Sequence, residues 1–140
     1  MAIINQDWIS DAVTTQPIGL WADIDSTCYV GGIVEHYPSI TTDIWKAAKG
    51  GPYIEGVLLA INSEGQGFID TRGVVELKCD TATDLSNIFP NDMVQIRPSS
   101  TEAGKVNVTY NNGTLTDGDI LVSHVLLAGD RKTRKIKICL

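Results

Sequence analysis

Short apolar runs separated by glycine-containing turns dominate the chain, and residues 51–78 show this pattern most plainly. An apolar segment from Tyr53 to Ile61 ends at the turn residues 62–65, and apolar pairs resume at Phe68-Ile69 and Val74-Val75. Turn residues between two such segments are typical of a β-hairpin. The pattern therefore predicts a hairpin inside a small β domain.

The chain after residue 80 continues in the same style. Residues 83–90 predict a helical turn that ends at Pro90, and residues 93–97 and 105–110 alternate as strands do. Asn112-Gly113 is a strong hairpin signal, and a further strand is predicted over 120–128. The last predicted strand places Ile136, Ile138 and Leu140 on one face and Lys135 and Lys137 on the other.

One short helix is predicted between Ser39 or Thr41, either of which can cap it, and Gly50-Gly51, which ends it. Ile40, Ile44 and Ala48 would share a face of this helix. Trp21 and Trp45 are expected to anchor the core.

The segment just before it, with Thr27–Val30 and Ile33–Val34 around Gly31-Gly32, predicts a strand pair or a bulged strand. Residues 31–35 (GGIVE) echo residues 72–76 (RGVVE), which we interpret as reused β chemistry and not as a repeat.

Residues 1–20 fit neither a clean helix nor a clean strand, and Pro17 favours an extended backbone before it. We predict an extended N-terminal arm over 1–20, followed by a single β domain over 21–140. The arm cannot bury its apolar side chains alone, so it would lie on its own domain, on a sister subunit or on a partner surface. Its candidate contact residues are Ile3, Ile4, Trp8 and Ile9.

Composition narrows the classes of function. The 140 residues carry a formal net charge of −6, which argues against binding nucleic acid directly, because neutralising phosphates needs a broad cationic face. Five of the eleven basic residues lie within 131–137. They form either a strand face exposed to solvent or a site for an anionic partner. The pattern predicts no membrane span and no secretory signal, so synthesis in a cytoplasm is expected. Three widely spaced cysteines predict reduced thiols.

The titratable residues form no pattern that predicts catalysis. His36 and His124 lack a recognisable nucleophile motif beside them, and Asp23 and Asp25 are either a turn or a cation site. We therefore expect no enzyme activity and no cofactor. One alternative is kept: the segment from Gly67 to Gly73, containing Asp70 and Arg72, is similar to the nucleotide-site motif of trimeric deoxyuridine triphosphatases, which would imply nucleotide hydrolysis.

A second resemblance covers residues 50–140. The segments IEGVLLA (54–60) and TRGVVEL (71–77), the glycine-rich turn between them and a late Gly-Asp turn resemble the head decoration, or capsid cement, proteins of tailed bacteriophages. The resemblance implies a β-barrel or β-tulip-like fold. The chain's own pattern of many short strands and one short helix indicates a mainly β fold, a small barrel or a sandwich.

This resemblance also implies a function. Such proteins bind the outer surface of the expanded phage head, commonly as trimers at local threefold positions, and stabilise the shell against internal DNA pressure. The expected partners are the major capsid protein and two further copies of the chain, and the expected location is the virion surface. A head-completion or tail structural protein is the other alternative in the same class.

Overall fold

The computed structural model describes residues 18–38, 41, 43–51, 53–90, 92–110, 121–127 and 133–139. These residues form ten β-strands and one 3-10 turn, which confirms the mainly β prediction. No helix in these ranges is long and apolar enough to cross a membrane. The strands are β1 (Ile18–Asp23), β2 (Ile33–Pro38), β3 (Asp43–Ala47), β4 (Gly56–Ile61), β5 (Gln66–Arg72), β6 (Val74–Lys78), β7 (Met93–Pro98), β8 (Val106–Tyr110), β9 (Leu121–Leu127) and β10 (Lys135–Cys139).

The strands form two five-stranded antiparallel sheets with the same topology. The first has the order β1-β5-β4-β2-β3, and the second has the order β6-β10-β9-β7-β8. Adding five to each strand number of the first sheet gives the second, so the chain contains one five-stranded unit twice. We call residues 18–72 the first half and residues 74–139 the second half.

Each sheet curls until its two edge strands meet at one point. A parallel bridge joins Ile24 to Trp45 in the first half, and another joins Cys79 to Val106 in the second. Both bridges lie just after the first strand of their half. A single bridge does not make a closing ladder, so the sheets are not closed into a barrel, which was one of the architectures expected from the sequence.

The halves are joined at Gly73, which separates β5 from β6 and has a φ of 113°. This backbone conformation is difficult for residues with a Cβ atom, and it turns the chain directly from one sheet into the other. The predicted hairpin over β4 and β5 is confirmed, with Asn62 Oδ1 accepting from the backbone N–H groups of Glu64 and Gln66 at 3.0 and 2.9 Å. Val74-Val75, however, begins a strand of the other sheet.

The described residues form two apolar clusters. The larger one combines the second half with Ile33, Ala48 and Val57 of the first half. The smaller one lies inside the first half around Val34, Leu58 and Ile69. Because neighbouring residues of a strand point to opposite faces, Ile33 and Val34 contribute to different clusters.

Backbone hydrogen bonds also join the halves. The N–H of Ile33 donates to the carbonyl of Gly104 at 2.9 Å, and the N–H of Gly104 donates to the carbonyl of Ala48 at 2.9 Å. Gly50 donates to Ser99 at 2.8 Å. The β7–β8 turn of the second half is therefore fixed to the first half by both packing and hydrogen bonds.

The predicted helix near residues 39–50 is wrong, because the described part of this segment forms strand β3. Trp45 pairs with His36, and Ile44 pairs with Tyr37, in an antiparallel ladder with β2. Trp45 packs against the inner cluster and Ala47 is buried, and the exposed Asp43 lies on the same face at the start of the strand. β-Branched and aromatic side chains favour such a strand once a neighbouring strand supplies the hydrogen bonds.

Other local predictions have mixed outcomes. The helical turn within 83–90 is confirmed as a 3-10 turn over Leu85–Asn87, and Ile136 and Ile138 are buried in β10 as predicted. The predicted strand over Thr27–Val30 is wrong, because this segment is a turn fixed by side chain hydrogen bonds. Leu140 lies outside the described residues, and so does the predicted hairpin at Asn112-Gly113.

Candidate functional site

The repeated topology makes positions in the two halves comparable. The bridge residues Ile24 and Cys79 correspond, and the β1–β5 and β6–β10 ladders then match residue for residue. The equivalent pairs used below are Leu20 with Val75, Trp21 with Glu76, Ala22 with Leu77, Phe68 with Lys137 and Gly67 with Ile136.

The first half contains an open cleft of about 470 Å³ between its two edge strands. β1 and β3 meet at the Ile24–Trp45 bridge and diverge toward the start of β1. We call this space the β1–β3 cleft. It is lined by residues 20–23, His36, Asp43, Trp45 and Gln66.

Trp45 and His36 form one wall of the β1–β3 cleft. Their ring centroids are 5.1 Å apart with a tilt of 33°, and the Trp45 ring packs against the apolar cluster of the first half. His36 Nε2 contacts Asp43 Oδ1, and because a carboxylate only accepts hydrogen bonds, Nε2 carries the hydrogen. The cross-strand ladder places these three side chains together, which sequence spacing alone did not indicate.

The rim of the cleft is acidic. The side chain of Asp43 is 78% exposed, and Asp23 is also exposed. The nearest lysine along β3, Lys46, alternates with Trp45 onto the opposite face, where it contacts Glu35 at 3.5 Å and lies 4.2 Å from the centre of the Tyr37 ring. The cleft therefore offers carboxylates around an apolar floor.

The equivalent space in the second half is filled by the protein itself. Val75 and Leu77 are 3% and 1% exposed, whereas their counterparts in the first half are Leu20, which is 44% exposed, and the small Ala22. Gly67 is the counterpart of Ile136, but it leaves no empty space, because the side chains of Leu58 and Ile24 occupy it. A Cβ atom added at Gly67 would lie 2.5 Å from Leu58 and 2.9 Å from Ile24. The shortfall of apolar volume is thus at Ala22, whereas Leu20 is larger than Val75 but remains partly exposed.

The outer face of β1 differs as well. Trp21 is 51% exposed and its ring lies 5.4 Å from that of Phe68, on the face opposite Ile69. The equivalent positions in the second half are Glu76 and Lys137, which suit a solvated face. The expectation that Trp21 anchors the core is wrong, whereas Trp45 does pack against the inner cluster.

A second groove, of about 470 Å³, lies where the halves join. Its apolar lining includes Tyr29, Val30, Leu59 and Val74, all of them large and at least partly exposed. Exposed apolar residues gathered in one place are typical of interaction surfaces. In the described chain, exposed apolar residues are therefore grouped around a groove in the first half and around another at the junction.

Each half carries the same Asp-Thr device beside its bridge. Asp25 accepts from the N–H of Thr27 at 2.9 Å, and the Thr27 hydroxyl accepts from the N–H of Ala47 at 3.0 Å. In the second half, Asp80 accepts from the N–H of Thr83, also at 3.0 Å, and the Thr83 hydroxyl accepts from the N–H of Val108 at 3.0 Å. The device fixes the loop after the first strand to the third strand.

The copy in the second half is buried. Burial by itself would raise the pKa of Asp80, but hydrogen bonds from Ser99, Thr83 and Asn107 outweigh burial and hold that pKa below its usual value. The Ser99 hydroxyl donates at 2.7 Å, and Arg134 Nη2 donates to the backbone carbonyl of Asp80 at 2.6 Å. This arrangement is a structural hydrogen-bond centre.

Glu102 belongs to the neighbouring β7–β8 turn. Hydrogen bonds from Lys105 and from the backbone of Thr81 lower its pKa to about 2. The Lys105 ammonium lies 2.7 Å from Glu102 Oε1. Both carboxylates with lowered pKa values thus hold loops of the second half.

The candidate chemistry from sequence is dispersed. Asp25 serves a turn, and the described residues contain no group of three or more His, Cys, Asp or Glu residues that could hold a metal ion. Asp70 is buried in β5 and accepts from the backbone N–H of Arg72 at 3.0 Å, so its carboxylate supports a local turn. The candidate contact residues Ile3, Ile4, Trp8 and Ile9, and the side chain of His124, lie outside the described residues.

Two of the cysteines that were predicted to be reduced, Cys28 and Cys79, are free thiols. Burial, followed by the charge of Asp25, raises the pKa of Cys28 to about 11. Burial raises the pKa of Cys79 to about 12. A thiol with a raised pKa forms little thiolate at neutral pH, so these cysteines are poor nucleophiles.

Sequence reasoning missed the β1–β3 cleft. A signal was present, since Leu20, Trp21 and Ala22 form an apolar run with small Ala22 at its inner position. Interpreting that signal required the second half as a reference, and the echo between 31–35 and 72–76 does not provide it. Residues 31–35 enter β2 and residues 72–76 enter β6, which are not equivalent strands.

Comparison with known proteins adds no relative. No protein-family model matches the chain, and no curated protein is significantly similar to it in sequence.

Proposed function

We propose that this chain is a structural virion protein, a capsid decoration protein that binds the outer surface of an expanded phage head. The observation that carries a binding role is strand β1, which exposes Trp21 where the equivalent strand carries Glu76. Large exposed aromatic residues are frequent anchors of protein interfaces. The sequence resemblance over residues 50–140 supplies the kind of partner, the major capsid protein.

The proposed mechanism is noncatalytic cross-bracing. The arm residues Ile3, Ile4, Trp8 and Ile9 precede β1 in sequence, so arm and Trp21 would contribute to one contact with the shell. A homotrimer at a local threefold position would present three such contacts. Linked contacts gain strength through effective concentration, so three weak sites would bind neighbouring capsid subunits tightly.

The test is cosedimentation of the purified protein with expanded, undecorated heads of its source particle. The truncated variant should lack residues 1–16 only, because β1 begins at Ile18 and a longer deletion would remove a structural strand. Saturable binding at three chains per threefold position, weakened by this deletion, supports the proposal. Absence of binding by the full-length protein overturns it.

Two further variants separate the parts of the contact. Trp8→Ala and Trp21→Ala should each reduce binding to heads, and Trp21→Ala should leave the melting temperature nearly unchanged, since its ring is half exposed. Glu64→Gln, in the exposed β4–β5 turn, is the matched control. Saturation at only a few copies per particle would instead indicate a head-completion or tail component.

A further inference from the structure

We infer that the β1–β3 cleft is a docking site for an extended, positively charged strand of a partner protein. The incoming strand would pair with the open edge of β1, place one large apolar side chain beside Ala22, and direct Lys or Arg side chains toward Asp23 and Asp43. This inference rests on the proposed binding role, but it does not depend on the partner being a capsid protein.

Backbone hydrogen bonds identify the open edge of β1. Beyond β1, the N–H of Asp25 donates to the carbonyl of Trp45 at 2.9 Å, which shows the edge at which β1 faces β3. Backbone groups alternate between the two edges of a strand, so those of Asp23 and Trp21 face the same edge. β5 occupies the other edge. In the described chain no strand pairs with the open edge before Ile24, which is where an added strand would bind.

The volume of the β1–β3 cleft indicates an apolar occupant. The second half shows what a filled version of this space looks like, with Val75 and Leu77 almost fully buried. The first half has Leu20 and Ala22 at these positions and a cleft of about 470 Å³. Ligand pockets have volumes of roughly 300–1,000 Å³. An apolar side chain of a partner would therefore restore the packing that Val75 and Leu77 have within the larger apolar cluster.

The charges around the β1–β3 cleft select a positively charged occupant. Asp23 and Asp43 lie at the rim, and Lys46 faces away from the cleft. The chain's own residues 1–17 contain Asp7 and Asp11 and no Lys or Arg, so they would add like charges to an acidic rim. A strand with Lys or Arg beside its apolar anchor is complementary instead.

The test uses two synthetic heptapeptides with blocked ends, each alternating a charged residue with valine around a central leucine. One carries lysine and the other carries glutamate. Neither contains tryptophan, so the emission of the protein's own tryptophans, including Trp21 and Trp45 at the cleft, reports binding. Amide exchange measured by NMR then reports whether the N–H groups of Trp21 and Asp23 become protected, as strand pairing requires.

We expect the lysine peptide to bind and the glutamate peptide not to bind, with affinity falling as salt is raised. Ala22→Leu copies Leu77 of the second half and should weaken binding of the lysine peptide about tenfold or more by filling the cleft. The double variant Asp23→Asn with Asp43→Asn should also weaken it, and it keeps the test valid if Ala22→Leu fails to fold. Glu64→Gln should bind as the unmodified protein does.

The inference would be overturned by no binding of the lysine peptide, by equal binding of both peptides, or by binding that neither Ala22→Leu nor the double Asp variant changes. Binding only after deletion of residues 1–16 would assign the cleft to the chain's own arm and would also overturn it. Head cosedimentation is a separate measurement, so a failed peptide test leaves the proposed shell binding standing, and the reverse also holds.

Discussion

The two halves of this protein share one strand order and one ladder register, yet they use their first strand differently. β6 is amphipathic, with Val75 and Leu77 inside and Glu76 outside. β1 is apolar on both faces, with Leu20 and Ala22 on the inner face and Trp21 beside Phe68 on the outer face. A strand with one apolar face is satisfied by its own core, whereas a strand with two apolar faces and an open edge is suited to a partner.

The contrast extends to the loops beside the bridges. The Asp-Thr device is buried in the second half, where Ser99, Asn107 and Arg134 add hydrogen bonds to Asp80. In the first half Thr27 is exposed. The same topology therefore gives two kinds of half. The second half is tightly packed and stabilises the molecule, whereas the first half has open surface for binding.

The largest expected effect comes from truncating a leucine side chain on the first strand of each half. Leu77→Ala should lower the free energy of unfolding by about 3 kcal/mol, because it removes buried methyl groups and leaves a cavity. Leu20→Ala, on the equivalent strand, should cost less than about 1 kcal/mol, because its side chain is already partly exposed. Urea denaturation of both variants measures the difference. Equal losses would show that β1 is as well packed as β6.

The next test compares the two Asp-Thr devices. Asp80→Ala should cost about 3 kcal/mol, since it leaves the buried hydroxyl groups of Ser99 and Thr83 without their acceptor. Asp25→Ala should cost about 1 kcal/mol, as an exposed capping interaction does. The melting temperatures of the two variants, each compared with the unmodified protein, decide the matter. A larger loss for Asp25 would contradict the assignment of the buried centre to the second half.

Lowering the pH should destabilise the second half through protonation of Asp80 and Glu102. Asp80 and Glu102 have lowered pKa values in the folded protein, so the folded state binds fewer protons than the unfolded state. Their stabilisation is complete above the unfolded pKa values, near about 4. It is lost as the pH falls through the folded values, which for Glu102 is about 2.

The measurement is the urea midpoint as a function of pH below about pH 5. Asp80→Asn and Glu102→Gln should each make the midpoint fall less steeply with acidification, because each removes one of these protonation steps. Glu64→Gln is the control with an unchanged slope. An unchanged slope in both Asp80→Asn and Glu102→Gln would mean that other carboxylates govern acid sensitivity.

A smaller change in the opposite direction is expected from making the first half resemble the second. Ala22→Leu should raise the free energy of unfolding by about 1 kcal/mol if the leucine fills the cleft against Trp45 and His36. Thermal unfolding measures this gain. A marked loss of stability would show that the cleft is too narrow for the side chain that the equivalent β6 position holds.

The smallest effect on stability is expected on the outer face. Trp21→Glu copies Glu76, and it should change the free energy of unfolding by no more than about 0.5 kcal/mol, because the ring is half exposed. The same substitution should strongly reduce binding to heads. A matched Glu76→Gln variant should change neither quantity appreciably, and a large stability loss in Trp21→Glu would place that ring in the core.

Local prediction succeeded where one stretch of chain decides its own structure. The β4–β5 turn follows from Asn62 and Gly65, and the alternation of β10 follows from two isoleucines between lysines. The helix prediction over residues 39–50 failed because Ile44 and Ala48 satisfy helical spacing, although Trp45 and Ala47 pair with β2. Pairing between distant strands supplied energy that a local pattern does not contain.

The sequence pattern was enough to assign this chain as a mainly β protein, because alternation and turn residues act within a few positions. Tertiary structure decided that the strands form one unit twice, and that residues as distant as Ala22, His36 and Trp45 line one cleft. The physical reason is that curling a sheet brings its two edges together, and whether the space between them is filled depends on side chains contributed by several strands at once.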